Sequence, residues 1–343
     1  MWKAIRANKI KSIVLISAIG LLMLFAGGFI GWSIRETSQG IIFGLFISGF
    51  IWFFLTFAAV FEGEGIFLAV ARAREVSHDE APRLYNIVEE MKIAAALPKM
   101  PKIFLIESPA LNAFAVGAPD TVASVAVTRG LMEALSREEI QGVIAHEIGH
   151  IKNQDTTFMT TAGVMVGTIV LLSDLFSRML FYRGVLEEVI PESEAVLPKI
   201  KGLGRASIIF WIISIFIALV APILANIIYL ACSRSREYLA DASAALFTRY
   251  PEGLASALEK ISASTIPLES ANEITAPMYI VNPLRLNCEG KGFSLFSTHP
   301  PVRERIEILR SMASGAGLAE YNAAFNRTTG KNISKASAIS RQN

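Results

Sequence analysis

Three stretches of this chain carry no acidic or basic side chain: residues 12–34, 41–61 and 206–233. A helix needs about 20 apolar residues to cross the hydrocarbon core of a bilayer, where each backbone polar group must be satisfied within the segment. All three runs meet that length, so the chain reads as an integral membrane protein. Composition points the same way. Of 343 residues, 52% are hydrophobic and 18% charged, and the mean hydropathy is +0.47, whereas soluble domains carry about a quarter charged residues. The net charge of +2 lacks the concentrated basic excess that nucleic acid demands. Cys232 and Cys288 are too few for a disulfide framework, and Cys232 ends an apolar run, where cysteine serves as a small hydrophobe.

A fourth uncharged run, residues 156–172, is shorter, and Asp174 and Arg178 interrupt its continuation. It reads as a third membrane segment, with a buried core helix as the alternative. Lys3, Arg6, Lys9 and Lys11 precede the first span. No small-residue cleavage site follows it, so it reads as a signal anchor with a cytoplasmic N-terminus. The first two spans then form a hairpin, and the chain re-enters the cytoplasm after Phe61. Gly27 and Gly31 make a small-xxx-small spacing, which is common in spanning helices and carries no functional weight here.

The expected organisation is a hairpin over 1–61, a first polar part over 62–155, two membrane segments with their loop over 156–233, a second polar part over 234–310, and a mobile Ser/Ala/Asn/Gly-rich tail over 311–343. Within the polar parts, His78–Ala96 has amphipathic helical spacing. Residues 102–107, 111–117 and 122–128 read as strands. Leu131–Asn153 returns to helix, with Ser136 as a cap ahead of Glu138 and Glu139. Residues 234–262 read as one long helix, and a short charged helix ends at Arg310.

One motif carries chemistry: His146-Glu147-Ile148-Gly149-His150. Residues four apart share a helix face, so both imidazoles can reach one ion while Glu147 leans toward a metal-bound water. The alternative is a pair of helix-surface histidines without metal. A catalytic zinc takes three protein ligands and keeps one position open. Asn153 and Thr156 stand where a metzincin has Gly and His, which excludes that class. Asp174 falls in an apolar run and is a poor ligand. The better candidate is Glu237, with Asp241 one turn on to accept the free N–H of a ligating histidine. An ordinary solvated helix face, anchored by Arg234 and Arg236, is the competing account of that pair. His146 and Glu237 can share an ion only if the apolar chain between them returns to the side it left. Arg178, Arg183, Lys199, Lys201 and Arg205 give the intervening loop more basic charge than an outer loop should hold.

These residues resemble a known family. NAFAVG at 112–117, HEIGHIKNQD at 146–155, REYLAD at 236–241 and STHPP at 297–301, together with the N-terminal hairpin and two later apolar segments, are similar to HtpX-type membrane zinc metalloproteases, relatives of the CAAX prenyl proteases. The resemblance covers residues 1 to about 310. It implies a mainly α integral membrane protein with about four transmembrane helices and an α+β zincin-like (gluzincin) domain on the cytoplasmic side of the inner membrane. It implies one zinc per chain on His146, His150 and Glu237, Glu147 as general base, and cleavage of misfolded or damaged membrane proteins in quality control. The prenyl-protease branch has more spans than the four available here.

His299, in the HPP segment, is the candidate second donor to the oxyanion, with Arg303 behind it; a loop histidine beside prolines is the alternative. Asn112 opens a run that could form an exposed edge strand to which extended substrate adds by backbone pairing; it could equally be a turn Asn. Asp155 is expected to cap or pair near the end of the HExxH helix, and His78 to be structural. Two rivals to a broad endopeptidase are a narrow-specificity processing protease and a non-enzymatic membrane protein with a structural metal. Neither cysteine has the ligand spacing a structural zinc usually shows.

Overall fold

The computed structural model describes residues 2–35, 37–118, 123–164, 167, 234–272, 275–284, 299–312 and 315–330. The expected span at 206–233, the loop before it, Cys232, Cys288 and the chain beyond 330 lie outside these residues. The described chain falls into two compact units, one containing Ile13–Val60, the other Phe61–Gly163 with the described residues from 234 onward.

The first unit is a pair of helices, α1 (Trp2–Arg35) and α2 (Ser38–Phe61), each long and apolar enough to cross a membrane. In α2 only Gly40, Ser48 and Ala59 are buried, and Phe43, Phe46, Phe50, Phe53, Phe54 and Phe57 are exposed, a surface that suits lipid rather than water. The helices touch through their smallest residues. A Cβ on Gly31 would lie 2.0 Å from the Gly40 carbonyl oxygen, and one on Gly44 2.0 Å from that of Gly27. The glycine spacing that had no weight in the sequence is therefore the helix–helix contact itself. Trp52 adds a hydrogen bond from Nε1 to the Ile16 carbonyl at 3.1 Å.

In the second unit, α3 (Gly63–Val70) leads to a four-stranded sheet of order β1-β2-β4-β3. Strands β2 (Lys102–Ile106) and β4 (Ala123–Thr128) are parallel, while β1 (Ala73–Glu75) and β3 (Ala113–Gly117) run antiparallel to their neighbours. The three-residue β1 escapes sequence reading because an edge strand this short shows no alternation. Helix α4 (Pro82–Ala94) starts at Pro82, whose missing N–H costs nothing in the first turn. Its Leu84, Ile87, Val88 and Met91 recur at helical spacing and pack into a core with Ile103, Val125 and Val127 of the sheet.

The expected helix over 131–153 is two helices, α5 (Arg129–Ala134) and α6 (Arg137–Lys152). Leu135 is extended and Ser136 forms a capping box with Glu139, which restarts the helix in a new direction. The expected helix over 234–262 also breaks, into α7 (Arg234–Thr248) and α8 (Pro251–Ala263), because Arg249 is left-handed (φ 56°) and Pro251 cannot continue the hydrogen-bond ladder. Helix α9 (Val302–Arg310) matches the charged helix foreseen. The tail expected to be mobile from 311 instead contains α10 (Leu318–Thr329). Its Tyr321, Ala324 and Phe325 form an i, i+3, i+4 apolar stripe buried in the core, with Phe325 edge-on to Tyr238 at 4.9 Å. Small polar residues around that stripe disguise it in the sequence.

Helix α6 is the central element, and two contacts with α8 fix it. Gly142 admits the α8 backbone, since a Cβ there would lie 2.6 Å from the Leu254 nitrogen. Glu139 accepts hydrogen bonds from Lys260 Nζ (2.8 Å) and Ser256 Oγ (2.9 Å) as well as its own cap. Gly142→Ala should destabilise by about 1–3 kcal/mol through overpacking, whereas Gly65→Ala in α3, with nothing within 4 Å of the added Cβ, should be neutral or stabilising. Thermal unfolding in detergent compares them, and equal midpoints would refute the contact. Burial raises the Glu139 carboxyl pKa, but Lys260, Ser136 and Ser256 outweigh it and leave the pKa below the usual 4.5. A group depressed in the folded state stabilises above its unfolded pKa. The deficit of Glu139→Gln, of order 1.5 kcal/mol, should therefore be full at neutral pH and close as pH falls below 4.5. A deficit independent of pH would show that the charge plays no part.

Candidate metal centre

Helix α6 presents His146 and His150 one turn apart on the face that meets α7. Gly149 makes that meeting close: a Cβ there would lie 3.1 Å from Ser243 Cβ and 3.5 Å from Ala240 Cα. The approach brings Glu237 of α7 over the histidines. Donor atoms of His146, His150 and Glu237 all lie within 4.8 Å of one another. His146 Nε2 is 3.2 Å from His150 Nε2, and these nitrogens lie 3.7 and 3.5 Å from Glu237 Oε2 and Oε1.

These separations fit a metal. Two nitrogens each about 2.05 Å from a tetrahedral zinc stand roughly 3.3 Å apart. The donor set, two imidazoles and a carboxylate, suits zinc. Two buried carboxylate oxygens here, Glu237 Oε2 and Glu147 Oε1, accept no hydrogen bond, as expected of groups awaiting an ion and its water.

The far nitrogen of each histidine faces a carboxylate. His146 Nδ1 lies 3.0 Å from Asp241 Oδ1, and His150 Nδ1 lies 3.2 Å from Asp155 Oδ2. Such a partner takes the Nδ1–H and leaves the Nε2 lone pair toward the metal. Asp155 reaches back because Gln154 adopts a left-handed conformation (φ 57°) directly after α6. Asp241 is held in turn by Arg305, whose Nε and Nη2 donate to its two oxygens at 2.9 and 2.7 Å, while Nη1 donates to the Ile280 carbonyl at 2.9 Å.

The electrostatics follow from burial against these partners. Burial raises the Asp241 and Glu237 carboxyls, but Arg305 and His146 bring Asp241 below its usual range, and His299, His146, His150 and Arg305 bring Glu237 well below. Burial lowers His146, yet the carboxylates of Asp241 and Glu237 beside it prevail and lift it to about 9. Glu147, only 1% exposed, is pushed up by burial, against the pull of His146 and His150. Burial takes His299 below the ordinary imidazole value.

Of the residues singled out in the sequence, His146, Glu147, His150, Glu237, Asp241 and His299 converge; His299 Nε2 lies 3.7 Å from Glu237 Oε2. Asn112 does not join them. It is buried, its Nδ2 donates to the Val281 carbonyl at 2.8 Å and its Oδ1 accepts from the Ala113 N–H. Strand β3 is indeed at the sheet edge, but residues 278–281 lie along its start, with Ile280 N–H donating to the Ala113 carbonyl at 3.0 Å and Tyr279 bridging Phe114. Asn112 fastens this strap and offers no free edge. Arg303 is also elsewhere: its side chain is 91% exposed and pairs with Glu307. The arginine that matters is Arg305, which the sequence did not single out. Its signal was spacing, since it precedes Ile308 and Leu309 by three and four residues on the buried face of α9. His78 stays outside the site, near Asn86 and Tyr85.

Comparison with known proteins places this geometry. Among curated proteins, the Protease HtpX homolog of Dictyoglomus thermophilum is 43% identical over 311 residues, covering 91% of this chain and 94% of the relative. That of Streptococcus uberis is 37% identical over 312 residues, covering 91% of this chain and all of the relative. Among solved structures, S. mikatae Ste24p is similar over 90% of this chain and 67% of its own, with 23% identity and a TM-score of 0.44. Residues 78–313, which include every residue of the His146–His150–Glu237 centre, match the Peptidase family M48 model, and the chain belongs to that family, as a protease of the HtpX type.

Proposed function

We propose that this protein is a membrane-bound zinc endopeptidase whose substrates are misfolded or damaged membrane proteins, with its site on the cytoplasmic face of the inner membrane. The observation that carries the reading is the convergence of the His146, His150 and Glu237 donor atoms within 4.8 Å, beside the partnerless Glu147 oxygen. The two apolar helices at the N-terminus support a place in the bilayer. The basic residues ahead of them support a cytoplasmic N-terminus.

When bound, zinc lowers the pKa of a coordinated water to about 7 and polarises the substrate carbonyl. Glu147, whose burial raises its proton affinity, takes the proton from the attacking water and returns it to the leaving amine. Burial lowers the His299 pKa, which favours the neutral ring, with one N–H to give to the oxyanion as it forms. Asp241 and Asp155 keep both ligating imidazoles in the tautomer that turns Nε2 to the metal.

Glu147→Gln should bind about one zinc per chain and cleave nothing, because the ligands are untouched while the proton acceptor is gone. Zinc content and hydrolysis of casein by protein purified with chelator and then reconstituted would decide it; residual turnover near wild type would end this mechanism. Asp241→Asn should weaken zinc binding about 10–100-fold, read by competition with a chelator of known affinity, and unchanged affinity would remove Asp241 from the site.

A further inference from the structure

A pocket opens beside the centre, between Ala115 of β3, Thr156 and Met159 of the helical residues 155–164, and Pro277 and Met278 of the strap. Arg236, adjacent in sequence to Glu237, lies on its wall and is 8% exposed. The mechanism above does not use it.

A guanidinium has five N–H donors. Arg236 Nε faces Asp155 Oδ1 at 3.6 Å, beyond hydrogen-bond length, and that carboxylate is shared with His150. The guanidinium carbon sits 5.0 Å from the Phe158 ring centroid. Nη1 and Nη2 are buried with no hydrogen-bond partner among the described residues. Two buried donors without a partner among the described residues are costly, and the shape they best complement is a carboxylate bound by two parallel N–H groups. A peptide carbonyl would occupy one of these donors and bring no negative charge to the guanidinium.

We propose that Arg236 is a specificity residue that receives a carboxylate of the substrate close to the scissile bond, either an Asp or Glu side chain or the free C-terminus of the polypeptide. The inference rests on the peptidase reading and adds a preference to it. Because Arg236 lines the same pocket as Glu147, His150 and Glu237, the anion it holds lies close to the bond attacked.

The test uses full-length, zinc-loaded Glu147→Gln protein in detergent, which can bind without cutting. Labelled ten-residue peptides carry a single Glu or Gln at each position in turn, and each is made with a free or an amidated C-terminus. Fluorescence anisotropy should show Glu tightening binding about tenfold over Gln at one position, or the free terminus doing so over the amide, which tells the two sources apart. Arg236→Gln in the same background should bring that ratio to about one, and Arg236→Lys, which keeps charge but lacks the fork, should restore only part of it. In the active enzyme the same ratio should appear in kcat/KM and vanish with Arg236→Gln. Binding with no carboxylate preference at any position, or a preference that survives Arg236→Gln, overturns the assignment of Arg236 while leaving the peptidase intact. Failure of every peptide to bind overturns both.

Discussion

A buried ion pair, Arg305 with Asp241, joins parts of the chain that lie far apart in sequence. Both side chains are wholly buried. Arg305 comes from α9 and Asp241 from α7; through them His146 of α6 and the Ile280 carbonyl of the strap are tied to one guanidinium. Two buried charges gain little over a hydrophobic filling of the same volume, yet removing one partner leaves the other stranded, at about 3–5 kcal/mol. The pair therefore reads better as a positioning device than as a source of stability. It holds both oxygens of Asp241, and Asp241 in turn faces Nδ1 of His146, so the orientation of that imidazole depends on an arginine from another helix.

The same economy governs the backbone. Helix α6 meets α8 at Gly142 and α7 at Gly149, two turns further along the same face, and in both places the absent Cβ determines how near the neighbour comes. Side chains on α6 and α7 can share an ion only at such close range. The glycine within HEIGH thus sets how near α7, with Glu237, comes to the histidines, and the capping box at Ser136 fixes where α6 begins.

The candidate metal centre was legible from the sequence because its constraint is local: two histidines one turn apart, and a Glu-x-x-x-Asp pair one turn apart on another helix. The two long apolar helices at the N-terminus were legible because uncharged stretches of about twenty residues have the length a bilayer demands. What escaped was set by packing between distant segments. Asn112 had the right motif around it, but only the strap at 278–281 decides that its amide is spent on Val281. Arg303 and Arg305 differ by two positions, and helical phase alone sends one to solvent and the other to the core. The two broken helices failed at short signals, Ser136 and Pro251, inside longer helical patterns. Helix α10 was hidden by a composition typical of mobile tails, although three residues at helical spacing suffice to dock it.

One constraint reaches beyond the described residues. His146 and Glu237 lie in a single compact unit, and about ninety residues of mostly apolar chain separate them. The chain leaves this unit after Gly163 and is back in it by Arg234. Because the ligand atoms are 3.5–3.7 Å apart, both ends of that excursion are on one side of whatever bilayer the apolar runs enter.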